Sequence, residues 1–314
     1  MSLRLAQVPG QHPRSPGEVS AGPASSLRVL LERLVDYAGL FPPAALPMPA
    51  AVAAFGDYRA SEDAWALGRF VVPIARLSEL VDATAPHEEP DAPWQLTVLG
   101  GDDVSGDATM LDAFARAHPR RFTIDAIEVR APTAERVRAA ADAFAPHMVY
   151  AEVPVSPLPS DTLEEVKRAG LRTKVRMGGI TADAFPSGPH VATFIARCAA
   201  LELPFKATAG LHHPVCGVHP LTYAADAPHG PMFGFVNLFL ASAIAWDGGD
   251  EAIIAALLAD RDPAAFTFAD AAATWRDQSV STERLREARQ SFAISFGSCS
   301  FREPIDDLHA LGLL

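Results

Sequence analysis

The sequence predicts an α/β protein built as a (β/α)8 barrel of the TIM type, with a less regular C-terminal region. Three observations predict it. Apolar runs of strand length alternate with stretches of helical period, which is the pattern of βαβ units and a parallel sheet. On those runs the polar residues share one parity, so each strand has one face for a helix and one for a barrel interior. The chain has 314 residues and is 49% hydrophobic, enough for one barrel-sized domain or two smaller ones. We read residues 26–314 as one barrel domain; a doubly wound open sheet is the second choice.

Residues 1–25 are rich in Pro, Gly, Ser and Gln without the apolar run of a signal peptide, which predicts a flexible tail. Leu27, Val29, Leu30, Leu31, Leu34 and Val35 have the spacing of a helix over Ser26 to Val35. Gly39 and Pro42-Pro43 end it, and Asp36 to Leu40 reads as a first short strand. Asp36 and Tyr37 read as surface turn residues, or as groups near the barrel mouth. Further strands are predicted over 69–73, 94–99, 122–129, 148–153, 173–177 and 203–208. Helices are predicted between them, over 48–58, 78–83, 108–117, 134–144, 162–169 and 190–201. An eighth strand has two candidates, Ala265 to Phe268 and Ile294 to Phe296, and Phe266 to Val280 also fits a small hairpin. The apolar helix Phe233 to Trp246 reads as barrel core rather than a dimer contact, although a homo-oligomer stays open. It is shorter than the roughly 20 apolar residues of a membrane span.

A formal net charge of −12 and a pI near 5.2 argue against a general nucleic-acid or anionic-membrane binder. Three cysteines at long spacings, Cys198, Cys216 and Cys299, suit a reducing compartment, by default the cytoplasm.

Candidate function sits at the carboxyl ends of the strands, where loops form the site face of such folds. Parity puts Glu128 with Arg130, Glu152 with Tyr150, Lys174 with Arg176, and Lys206 with Thr208 on inward faces. Six charged residues then converge, four cations and two anions. Some must satisfy one another as buried ion pairs, and the cationic surplus points to a small anionic metabolite held by Arg176 and Arg130. Gly178-Gly179 before a helix can bring backbone amides to an oxyanion, although a tight turn explains the pair equally well. His212 and His213 follow Lys206; on an extended backbone only one of them faces the site. His212, His213, Cys216, His219 and His229, with Glu128 or Glu152, could supply ligands to a divalent metal, yet their spacing matches no HExxH or paired CxxC pattern. No organic cofactor is expected.

The stretches Asp36-Tyr37-Ala38-Gly39-Leu40-Phe41-Pro42-Pro43-Ala44, Lys174-Val175-Arg176-Met177-Gly178-Gly179, Phe205-Lys206-Ala207-Thr208-Ala209-Gly210-Leu211-His212-His213-Pro214 and Phe296-Gly297-Ser298-Cys299-Ser300-Phe301 resemble those of a bacterial family of barrel proteins without an established activity. That resemblance covers most of the chain from residue 26 and implies the barrel. A fainter one is to class I aldolases of the deoxyribose-phosphate type, in which a strand lysine followed by Thr and Gly forms a Schiff base and a second lysine precedes a Gly-Gly turn. It implies a lyase with Lys206 as nucleophile, although the two motifs come in reversed order here.

A nucleophilic amine must be unprotonated, and Lys174 and Arg176 are expected to lower the pKa of Lys206. Glu152, Glu128, His212 or His213 would then move protons. The sequence therefore predicts a Schiff-base lyase acting on a small anionic carbonyl compound. Its rivals are a metal-dependent hydrolase or isomerase and a small-anion binding protein.

Overall fold

A computed structural model describes residues 23–86 and 92–314. The tail predicted over 1–25 lies outside the described residues as far as residue 22.

The chain begins with α1 (Ser25–Leu31), shorter than predicted because Arg33 adopts a left-handed turn (φ 50°) and the backbone extends at once into β1 (Val35–Tyr37). Alternation follows: α2 (Met48–Ala60), β2 (Leu67–Pro73), α3 (Leu77–Thr84), β3 (Trp94–Leu99), α4 (Val104–Ala117), β4 (Phe122–Arg130), α5 (Ala134–Phe144), β5 (Val149–Glu152), α6 (Ser160–Arg168), β6 (Arg172–Arg176), α7 (Gly188–Ala200) and β7 (Phe205–Thr208). An excursion then carries the hairpin β8 (Gly217–Pro220) and β9 (His229–Met232), helices α8 (Phe235–Trp246) and α9 (Glu251–Ala259), and an antiparallel sheet of β10 (Phe266–Phe268), β11 (Ala272–Trp275) and β12 (Gln278–Ser281). The chain returns through α10 (Thr282–Ser291) to β13 (Ala293–Ser298) and ends in α11 (Arg302–Ala310).

Eight parallel strands close in the order β1-β13-β7-β6-β5-β4-β3-β2, so the fold is a (β/α)8 barrel with an irregular C-terminal insertion. Of the two candidates for the eighth strand, the one around Ile294 closes the barrel, pairing with β1 and β7. The segment around Phe266 forms the predicted hairpin, with β12 as a third strand. Helix starts are set locally: Asp103, Thr133, Ser187, Asp250 and Ser281 each accept a hydrogen bond from the amide three residues on.

The core lies between strands and helices. Every residue of α8 from Phe235 to Ala245 is buried within the chain, as a core helix requires. The Asn237 amide anchors it, donating to the carbonyls of Leu257 (2.7 Å) and Asp260 (2.8 Å) and accepting from the Cys216 N–H at 2.9 Å. No helix among the described residues is long and apolar enough to cross a membrane.

Candidate active site

Parallel pairing sets Glu128 beside Tyr150, Glu152 beside Lys174, and Lys174 beside Lys206. Because side chains alternate along a strand, these residues and Asp36 on β1 meet in the barrel interior. They form a ladder of alternating charge. The Lys206 ammonium lies 2.6 Å from Asp36 Oδ2 and 2.6 Å from Glu128 Oε1; the other Glu128 oxygen lies 2.6 Å from Lys174 Nζ, which is 2.7 Å from Glu152 Oε2. At the lower end Asp36 accepts from the Arg69 backbone N–H (2.9 Å) and from Ser295 Oγ (2.8 Å), with the Arg69 guanidinium at 3.6 Å. Arg69 Nε in turn bonds Asp125. Such charges survive burial because each cation touches a carboxylate.

The ladder fixes ionisation. Burial works against the charge on Lys206, but the carboxylates of Asp36 and Glu128 outweigh it and raise the lysine above its ordinary range. This reverses the expectation of a lowered Lys206. Burial would likewise raise Asp36 and Glu128, yet Lys206 with Arg69, and Lys174 with Lys206, hold them down, Glu128 at about 2.

Above the ladder opens a cavity of about 490 Å³, within the size range of small-ligand sites. Among its lining residues are Glu128, Arg130, Glu152, Lys174, Arg176, Gly179, Thr208 and His212. Lys206 lies beneath this lining at 1% exposure, so the amine presented to the cavity is that of Lys174. Arg130 and Arg176 are exposed and, among the described residues, have no ion-pair partner. The cationic surplus therefore resides in the two guanidinium groups, while both lysines are matched by carboxylates.

The two histidines take different partners. His212 lines the cavity with Nδ1 2.9 Å from Glu303 Oε2; His213 turns away, 2.6 Å from Asp307 Oδ2, and stacks on His219 with ring centroids 3.5 Å apart. Among the described residues no group of three or more His, Cys, Asp and Glu is gathered for a metal ion. The glycine pair also divides. Gly179 lines the cavity, and at Gly178 a Cβ would lie 2.4 Å from the Phe185 ring, so close packing there requires glycine. Cys299 borders the cavity at 6% exposure, and burial raises its thiol.

Three participants went unrecognised in the sequence. Asp36, read as a surface turn residue or as a group near the barrel mouth, is wholly buried; a lone carboxylate inside Leu34-Val35-Asp36-Tyr37 was the available signal. Arg69 and Glu303 carried none, since their partners lie 33 and 91 residues away. Compared with known proteins, the chain matches no protein-family model and no curated protein.

Proposed function

We propose that the chain is an enzyme that takes a small anionic carbonyl compound into the cavity at the carboxyl ends of the strands and acts on it as a lyase through Lys174. The observation that carries this reading is the division of charge: Lys174 is balanced by Glu128 and Glu152, whereas Arg130 and Arg176 line the same cavity with no ion-pair partner among the described residues. A planar guanidinium suits a carboxylate or phosphate oxyanion, and two of them would orient its carbonyl end.

In that reading Glu152 accepts a proton from the Lys174 ammonium, and the free amine adds to the carbonyl carbon. The carbinolamine then loses its hydroxyl as water, using the proton that Glu152 returns. Glu152, ionised again, takes the proton of a hydroxyl β to the iminium carbon; the oxygen forms a new C=O as the Cα–Cβ bond breaks, and that bond's electron pair passes to the iminium, giving an enamine and a carbonyl fragment. Hydrolysis of the imine after enamine protonation frees the amine again. His212, fixed by Glu303, is placed to move a proton at the cavity wall. Lys206 is a positioning residue that fixes Glu128 from below. The likeness to class I aldolases supports the same chemistry, with the nucleophile moved from Lys206 to Lys174. A metal-assisted hydrolase or isomerase would require Glu128 and Glu152 to leave their lysines.

Borohydride reduction with a panel of small aldehydes and keto acids, followed by peptide mapping, tests the reading. A mass adduct on Lys174, absent in Lys174→Arg while keto-acid binding persists, is the expected result. An adduct on Lys206 would move the nucleophile below the cavity. Saturable binding with no adduct anywhere would leave an anion-binding protein in place of a lyase.

A further inference from the structure

The opposite end of the barrel carries a second cavity, of about 340 Å³, built where the strands begin. Five arginines line it: Arg33 just before β1, Arg69 on β2, Arg172 opening β6, and Arg286 and Arg289 on α10. Among the described residues Glu32 is the single carboxylate in the lining. Five guanidinium groups around one small space repel one another, and the chain as a whole has a net charge of −12.

Internal partners do not cancel this charge. Among the described residues only Arg69 is paired with carboxylates, Asp36 and Asp125. Arg172 donates to the Tyr150 hydroxyl at 2.9 Å, Arg33 to the Gln95 side-chain oxygen, and Arg286 has no ion-pair partner among the described residues. Arg289, 7% exposed, donates to backbone carbonyls, those of Leu30 at 2.8 Å, Glu32 at 3.1 Å, Ala293 and Ile294, and lies over the Phe239 ring at 5.0 Å. These bonds fix its plane but bring no negative charge. Burial pushes its guanidinium down to about 10, so the site holds this cation at a cost that an anion beside it would relieve.

We infer that this amino-terminal cavity is a binding site for a small, multiply charged oxyanion of the phosphate type, separate from the lysine-lined cavity at the other end. Planar donors converging from a buried arginine and four partly or fully exposed ones match the several acceptor oxygens of such a group. Among the described residues the site shares no lining residue with the upper cavity, and it does not rest on the lyase reading.

The test is calorimetric titration with inorganic pyrophosphate at constant ionic strength. The starting chain carries Arg130→Gln and Arg176→Gln, so that the upper cavity is disabled. Saturable one-to-one binding is expected, weakened about tenfold or more by either Arg286→Gln or Arg33→Gln, the scale of one lost charge-assisted hydrogen bond. Both of these residues are exposed, so the substitutions spare the core, and unchanged thermal unfolding confirms it. No saturable binding in the starting chain, or binding indifferent to both substitutions, overturns the inference.

Discussion

Asp36 joins Lys206, Arg69 and Ser295 at the lower end of the ladder. Asp36→Asn keeps the shape but removes a negative charge 2.6 Å from a lysine that is 1% exposed. The ammonium is left buried with one carboxylate, and Ser295 Oγ and the Arg69 guanidinium lose an ionic acceptor. Breaking a buried pair from one side costs about 3–5 kcal/mol, and urea unfolding should show a loss of that order. Lys206→Met in the same background should then cost much less than it does alone, since the charge it removes is already uncompensated. Additive losses would mean that the two residues do not share one electrostatic unit. This is also where the sequence stopped informing. Strand parity brought Glu128, Lys174 and Lys206 to one interior, but which charge touches which depends on register and on β1, where a three-residue strand offers no periodicity to read. Counting only the neighbouring cations therefore gave Lys206 the wrong sign of shift.

At the level of elements, the ends of β6 and β7 show why the barrel mouth needs glycine. Gly210 has φ +65°, and a Cβ there would lie 2.8 Å from the Gly178 Cα and 2.7 Å from the Phe185 ring. Gly248 also has positive φ, +96°, yet nothing lies within 4 Å of its Cβ position. Gly248→Ala should therefore cost about 1 kcal/mol of backbone strain, whereas Gly210→Ala adds a backbone clash and should cost more, about 2–3 kcal/mol. Equal losses in urea titrations would refute the close approach. Gly210→Ala should also weaken ligand binding, because residues 208–210 and His212 line the cavity. Seven strands were legible because apolar runs and helices alternate without interruption up to residue 208. The eighth was ambiguous because 84 residues separate Thr208 from Ala293, and β13 carries small residues, Gly297 and Ser298, in place of a long apolar run. The closing strand is selected by pairing with β1 and β7, a constraint that no local window contains.

For the whole molecule the shifted groups set the pH range of stability. Asp36 and Glu128 have depressed pKa values, so their contribution is complete above the unfolded carboxylate range near ~4 and is lost as pH falls through the folded values. Lys206 is raised, so its contribution is complete below about 10.4 and is lost as pH rises through its folded value. Between these limits the ladder adds no slope. His219 does. Burial, then the neighbouring His213, depresses it to about 4, and its Nε2 is buried with no hydrogen-bond partner among the described residues, so a proton there would add an unsatisfied donor. A base with a depressed pKa binds fewer protons folded than unfolded. Its contribution is therefore full above about 6.5 and falls away as pH drops toward about 4. The melting temperature should thus decline in two stages on acidification, a shallow one between about 6.5 and 4 from His219 and a steep one below about 4 from the ladder carboxylates. His219→Gln should flatten the first stage and leave the second. A first stage that survives the substitution would assign it to another group, and a single acid transition in the native chain would remove His219 from the account of its stability.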